Sequence, residues 1–446
     1  MAHRRQIPDS LRRQRFGWYM YDWANSAFAV TILAALFGPY LDRVVVPAGG
    51  WTPPVPGMGA LSSTSLYGYT LGLSALFVLL SSPVLGAIAD SGNTKKRFLM
   101  FFCGLGSSAT VLFFFVGPGD VGLALALFFV ANFCFVSANV FYDAFLPHLA
   151  TPDEQDDVSG RGYAYGYAGG GLLFILHLLL VQFHAQLGIA DAGLAIRIAL
   201  SSVGLWWGGF ALVSFRRLVE IRVKAPSRSP LALAREGFHR VLQTSRLTGS
   251  LRQLLLFLLA FMIYNDGIQT VIAMATIYGS EELGFDTLTL MGCLLMVQIV
   301  GIAGSRLFAR IAARIGTKRA VLLSLVIWTG VVVFGYVMTQ PYEFWILGGI
   351  VGLVLGGSQA LSRSMYSKII PAAASAEFFG FFSVFEKFSA IWGPLVFAIL
   401  RQTTGSSRLS ILALVVFFIV GGAILSFVNL ERAQRDSQQL GETLSL

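Results

Sequence analysis

Apolar residues in this chain fall in long blocks separated by short polar, mostly basic stretches, and the block lengths set the architecture. A helix needs about 20 predominantly apolar residues to cross the hydrocarbon of a bilayer. Twelve blocks qualify: 16–41, 61–88, 98–117, 121–146, 161–185 and 193–215, then 251–278, 285–309, 320–338, 342–369, 376–400 and 408–429. The predicted fold is an all-α polytopic membrane protein whose twelve transmembrane helices form two pseudo-symmetric six-helix bundles, over 1–215 and 251–430. The linker between them, 216–250, has Ser229-Pro230 as a helix start and Leu231, Phe238 and Leu242 at helical spacing. That pattern predicts a short amphipathic helix lying on the membrane surface. Residues 431–446 remain as a polar tail.

Polar residues interrupt some of these blocks. Tyr21-Asp22-Trp23-Ala24-Asn25-Ser26 sets a carboxylate and an amide inside span 1, and Tyr264-Asn265-Asp266-Gly267 does so in the middle of span 7. An ionised group at mid-bilayer costs roughly 2.5–3.5 kcal/mol, so each interruption needs a physical reason. Spans 3 and 9 carry no charge and span 12 only Arg408 at its first residue, whereas span 4 has Asp143, span 10 has Arg363 and Lys368, and span 11 has Glu386 and Lys387. Asp266 and the Glu386-Lys387 pair fall near the midpoints of their spans. Asp22, Asp143 and Arg363 lie in the third nearest the N-terminal side.

Composition agrees with a membrane protein. Hydrophobic residues make up 55% of the chain and charged residues 12%, about half the charge of a soluble domain. The net charge of +9 does not indicate nucleic-acid binding, because the basic residues sit between the apolar blocks. Of 32 Lys and Arg, 27 fall on the side of the N-terminus if the spans alternate, which predicts that both termini are cytoplasmic and that 42–60 is an outer loop. The first block lacks a small-residue cleavage site and reads as a retained span. Cys103, Cys134 and Cys293 lie inside apolar blocks, with neither a disulfide framework nor metal-ligand spacing. A phosphate-cradling Gly-x-x-x-x-Gly-Lys-Ser/Thr loop does not occur, which argues against an ATP-driven pump. No cofactor is expected.

The two halves echo each other. Tyr142-Asp143-Ala144-Phe145-Leu146-Pro147 closes span 4, and Tyr366-Ser367-Lys368-Ile369-Ile370-Pro371 closes span 10, 224 residues later. At nearly that offset Asp90-Ser91-Gly92-Asn93-Thr94-Lys95-Lys96-Arg97 faces Arg314-Ile315-Gly316-Thr317-Lys318-Arg319. Parallel six-helix halves are the mark of one transporter architecture. Gly86 to Asp90, then Gly92 and Lys95-Lys96-Arg97, resembles the signature loop of the major facilitator superfamily, Gly-x-x-x-Asp-x-x-Gly-x-Arg/Lys-Arg/Lys. A glycine permits the tight turn, and the carboxylate can bond a neighbouring helix end. Asn93 stands where the second glycine is usual, and Ala313 replaces the acid in the second half, which puts a lock there in doubt.

Six longer stretches narrow the resemblance: YDWANSAF, YDAFLPHLA, VSGRGYAYGY, YNDGIQTVIAMATIYG, GGSQALSRSMYSKIIP and AEFFGFFSVFEKFSAIWGP. They are similar to the branch that holds the fungal autophagy-associated vacuolar amino-acid effluxer and its bacterial relatives. The resemblance implies a secondary transporter of small polar solutes, amino-acid efflux, and a prokaryotic cytoplasmic membrane.

The candidate substrate and proton path comprises Asp266, Asn265, Tyr264, Gln269, Glu386, Lys387, Asn25, Asn139 and Tyr142. Asp266 or Glu386 is the candidate carrier of a driving proton. The candidate gate comprises Asp22, Asp143, Arg161 and Arg363. In it Arg363 bridges to Asp22 or Asp143 and Arg161 competes for Asp143, or else each acid is held within its own half. The expected partners are a small-molecule substrate, the lipid bilayer and protons, with the chain as a monomer. A drug exporter of the same superfamily is the alternative. An intramembrane aspartyl protease is remote, because Asp22 and Asp120 fall on opposite sides and could not share a proton.

Overall fold

The computed structural model describes residues 8–54, 57, 59–220, 251–281 and 283–445. Among them, twelve helices are long and apolar enough to cross a membrane. In chain order they are α1 (Asp9–Val45), α2 (Ser63–Gly92), α3 (Lys95–Phe115), α4 (Val121–Leu149), α5 (Gln155–Gln182) and α6 (Ala192–Arg217). After the linker come α7 (Arg252–Glu281), α8 (Thr287–Ile315), α9 (Thr317–Val337), α10 (Pro341–Lys368), α11 (Ala372–Thr404) and α12 (Ser407–Ser426). The amphipathic helix expected in the linker lies outside the described residues, which resume at Leu251. Large apolar side chains such as Leu80, Leu205, Val326 and Val416 are exposed on the helix exteriors, where lipid rather than water suits them.

Local chemistry explains several helix ends. Asp191 caps α6 by accepting from Leu194 N at 2.8 Å, and Asp286 caps α8 by accepting from Thr289 N at 3.2 Å. Gln340 and Glu343 form a reciprocal capping box on α10, with Pro341 in the first turn, where its missing N–H is harmless. Within α1, Phe28–Leu36 winds with the wider π-helical ladder. Other spans also depart from the expected continuous rods; α12, for one, is interrupted between Leu412 and Val415. α11 is broken into Ser375–Phe388 and Trp392–Thr404, because Pro394 in an unbroken helix would clash with the carbonyl of Ala390. The polar tail is itself a helix, α13 (Leu430–Ser445), which buries Ala433, Ser437 and Leu440 and packs on the Ala372–Ala374 turn.

By packing, the chain divides into two compact units. One takes in Met1–Val78, Lys96–Tyr142 and Tyr165–Ile221; the other takes in Leu79–Lys95, Asp143–Ala164 and Arg222–Leu446. The core of the first is aromatic: Trp18 and Tyr21 stack on Tyr142 at 4.6 and 4.9 Å, and Phe37 stacks on Phe128 at 4.4 Å. The second holds the signature-loop ends of α2, α4 and α5 together with the C-terminal repeat.

The signature turn explains its own departure from the pattern. Asn93 has φ 51, the one left-handed non-glycine among the described residues, and its counterpart Gly316 has φ 89. The turn needs a left-handed residue there, and asparagine is among the few side chains that tolerate it. Asn93→Gly is therefore expected to fold as well as the parent. Asn93→Val is expected to lose about 1–2 kcal/mol, read as a lowered melting midpoint of the purified protein.

Candidate functional site

The signature-loop end of the second unit is tied together by buried charge. Asp90 pairs with Lys95 at 2.7 Å, both side chains almost wholly buried. The same carboxylate accepts from Glu377 N at 2.8 Å and Ala376 N at 3.3 Å, the amides at the start of α11. A helix start concentrates unsatisfied N–H groups and partial positive charge, so an anion there is well placed. Lys95 also donates to Ser375 Oγ at 2.8 Å, and that hydroxyl donates to the Ala144 carbonyl at 2.9 Å. Gly86 is glycine for a steric reason: a Cβ there would collide with the Ala376 carbonyl. Of the remaining loop residues, Gly92 ends α2, Lys96 N donates to Glu220 at 3.0 Å, and Arg97 is exposed.

The gate residues are brought together in part. Arg363 Nη1 donates to Asp143 Oδ1 at 3.1 Å, and the guanidinium lies 4.3 Å from the Tyr163 ring centroid. Its Nε donates to Ser159 Oγ at 3.0 Å and its Nη2 to the Ser159 carbonyl at 3.1 Å. Arg161, expected to compete for Asp143, instead pairs with Asp157 one helical turn away at 2.8 Å, on a half-exposed face. The i,i+4 geometry of one helix makes that the nearer partner. Asp22 is buried on α1 in the first unit.

Sequence reading missed a second cluster. Asp156, in the first turn of α5, accepts from Lys368 Nζ at 2.8 Å, Thr317 Oγ1 at 2.7 Å and Ser364 Oγ at 2.5 Å. Lys368 Nζ also donates to Thr317 Oγ1 at 2.7 Å. An acid in the first turn of a helix is commonplace, so nothing in the sequence marked Asp156. The available signal was Lys368, a second cation on an otherwise apolar span.

At mid-span, two sequence motifs prove to be one physical unit. Asp266 on α7 accepts from Gly393 N at 2.9 Å and Trp392 N at 3.2 Å, the first amides of the second half of α11. Its neighbour Asn265 donates to Ser389 Oγ in the break at 2.5 Å. The carboxylate expected on a substrate path is thus the cap of a half-helix. Tyr264 is fully buried with its hydroxyl 2.7 Å from Ser362 Oγ, and Gln269 is half-buried. Glu386 and Lys387 behave differently: both are half-buried, and neither forms an ion pair among the described residues.

The path residues of the first unit serve helix packing. Asn25 Nδ2 donates to Asn139 Oδ1 at 2.5 Å, joining α1 to α4, and Tyr142 is enclosed by Trp18 and Tyr21. Asn132 joins α4 to α2 through Ser74 at 2.9 Å. His177 links Thr31 at 3.1 Å to Ser202 at 2.7 Å across α1, α5 and α6. Among the described residues no group of three or more His, Cys, Asp or Glu is arranged to hold a metal ion.

Twelve spanning helices, repeated halves and a signature loop docked on the start of α11 define a major facilitator superfamily transporter. A solved structure of that superfamily, FucP in the outward conformation, covers 94% of this chain and 98% of its own at a TM-score of 0.67 and 12% identity. Residues 10–438 match the family described as "Vacuole effluxer Atg22 like", and the chain belongs to it. The MFS-type transporter YxiO of Bacillus subtilis is 34% identical, covering 96% of this chain and 97% of its own. Autophagy-related protein 22 of Kluyveromyces lactis is 26% identical, covering 97% of each. The protein is an integral membrane transporter.

The half-helix cap gives a direct expectation. A Cβ at Gly393 would stand 2.8 Å from Asp266 Oδ1 and collide with Thr270 Oγ1. Gly393→Ala is expected to destabilise the purified protein by about 1–3 kcal/mol, the usual range for overpacking, and thermal unfolding reads it.

Proposed function

We propose that this protein moves a small polar solute, an amino acid in first place, out of the cytoplasm by alternating access coupled to protons. The observation that carries the reading is the Glu386-Lys387 pair: two opposite charges at mid-span, half-buried and committed to no ion pair among the described residues. A zwitterion carries an ammonium and a carboxylate, and such a pair offers one partner to each. Adjacent helical residues point about 100° apart, so the two can address separate groups of a ligand rather than each other. The family resemblance to an amino-acid effluxer supports the same substrate class.

Glu386 stands ahead of Asp266 as the proton carrier. Both oxygens of Asp266 are engaged by backbone amides, while Glu386 is left to exchange partners. Arg363 and Asp143 form a gate on this reading, since separating the repeats removes the guanidinium from Asp143, Ser159 and Tyr163 together. Closure at one end belongs to the state in which the opposite mouth is open.

A second reading, export of amphipathic solutes, is favoured by a groove of about 480 Å³ in the second unit. Met274, Pro394, Phe397 and Ala398 line it together with Arg401 and Gln402, so its walls are mostly apolar.

Reconstitution with a panel of amino acids and amphipathic cations separates the two readings. Loss of a charge-assisted contact is worth about 1.5–3 kcal/mol, so Glu386→Gln and Lys387→Met are each expected to weaken amino-acid binding tenfold or more. Glu386→Gln is also expected to abolish proton-driven accumulation while sparing exchange, with Asp266→Asn keeping accumulation. Uptake of amphipathic cations unaffected by either change at 386 or 387 would favour the second reading.

The orientation is tested separately. The signature-loop end is cytoplasmic on this proposal, so a cysteine at Gly57 is expected to react with an impermeant reagent in intact cells. One at Arg97 is expected to stay unreactive until the membrane is opened. The opposite pattern reverses the orientation.

A further inference from the structure

The two repeats are not locked by the same chemistry. Aligning the two signature turns on their left-handed residues, Asn93 and Gly316, sets Asp90 opposite Ala313, Thr94 opposite Thr317 and Lys95 opposite Lys318. By that alignment the second turn lacks its acid. Ala313 is exposed, so a carboxylate at that position would face away from any contact. Lys318 is diverted to the carbonyls of Ser426 and Val428, each at 2.7 Å.

We propose that Asp156 supplies the acid that the second turn lacks, making it the closing residue of a transposed lock at the α5 start. In the first lock the acid sits on the turn and reaches the first amides of α11. In the second the acid sits on the helix, as the second residue of α5, just as Ala376 is the second residue of the α11 run. From there it reaches back to the turn at Thr317 and to the end of α10 at Ser364 and Lys368. Asp156 and Lys368 side chains are each only 9% exposed, so the pair is formed away from water.

The transposition changes what opening requires. Asp90 keeps Lys95 within its own repeat, and its hold on α11 is to backbone amides that no side-chain change removes. Asp156 and Lys368 come from different repeats, so separation takes apart the ion pair itself. A buried pair that loses one partner leaves an uncompensated charge, which makes the second lock the more sensitive to single substitutions.

This inference rests on the alternating-access reading for its meaning, yet its test needs no substrate. Ala360, fully buried where its carbonyl accepts from Ser159 Oγ at 2.7 Å, is replaced by cysteine as the reporter. Labelling by a thiol reagent is followed in purified, monodisperse protein. Asp156→Ala and Asp156→Lys are each expected to speed labelling at least tenfold. The charge swap Asp156→Lys with Lys368→Asp is expected to return it to within about threefold of the parent. Ala313→Asp is expected not to rescue Asp156→Ala. Asp156→Asn, which keeps the size of the side chain and one of its two acceptor oxygens, serves as the well-folded variant should the alanine change reduce yield, and an intermediate rate is expected. Unchanged labelling in Asp156→Asn and Asp156→Lys, a swap as open as its single changes, or rescue by Ala313→Asp would each overturn the proposal. Substrate transport that fails in the panel while labelling behaves as described would count against the proposed function and leave the lock standing.

Discussion

A carboxylate taken out of water has to be met by donors, and in this protein three buried carboxylates do so at contacts between helices. Two of them converge on a single element. α11 begins twice, and each beginning is held by an acid from elsewhere: Asp90 of α2 at Ala376-Glu377, and Asp266 of α7 at Trp392-Gly393. Orphan amides in a membrane cost several kcal/mol apiece, so both acids are structurally required wherever α11 is to start. The burial of Asp90 in turn demands Lys95 and the absence of a side chain at Gly86. The signature loop follows from that requirement.

Asymmetry between the repeats follows from the same constraint. A tight contact between two helix ends tolerates a carboxylate on either partner, provided that donors face it from the other. The first repeat keeps its acid on the turn, and the second has it on α5, opposite Thr317, Ser364 and Lys368. A motif search that looks for the acid only on the turn finds the second copy degenerate. The contact itself is complete.

Hydropathy made the twelve spans legible, because hydrocarbon imposes a length and a composition that few soluble segments share. The signature turn was legible too, and φ 51 at Asn93 supplies the reason for its odd residue. The partners of polar groups were harder to see. Asp266 looked like a path residue because sequence shows a carboxylate in an apolar block and does not show the break in α11 that it caps. The sequence offers Arg161 two acids, Asp143 and Asp157, and the one a single helical turn away takes it. Tail helix α13 leaves little trace in the sequence because its apolar face is thin: Ala433 and Leu440 are its buried apolar side chains. Glu386 and Lys387 were found because two charges side by side in mid-span are conspicuous whatever they bind.

The break in α11 also has a mechanical meaning. In an intact span, a bend must stretch or sever backbone hydrogen bonds that hydrocarbon cannot replace. Between Phe388 and Trp392 the regular ladder is already interrupted, and the amides of Trp392 and Gly393 are bound to one side chain of α7, Asp266. Swivelling at this joint leaves the ladder within each half intact. The span acts as two stiff rods meeting at a socket, the first clamped at Ser375 and the second held at Trp392-Gly393 by Asp266.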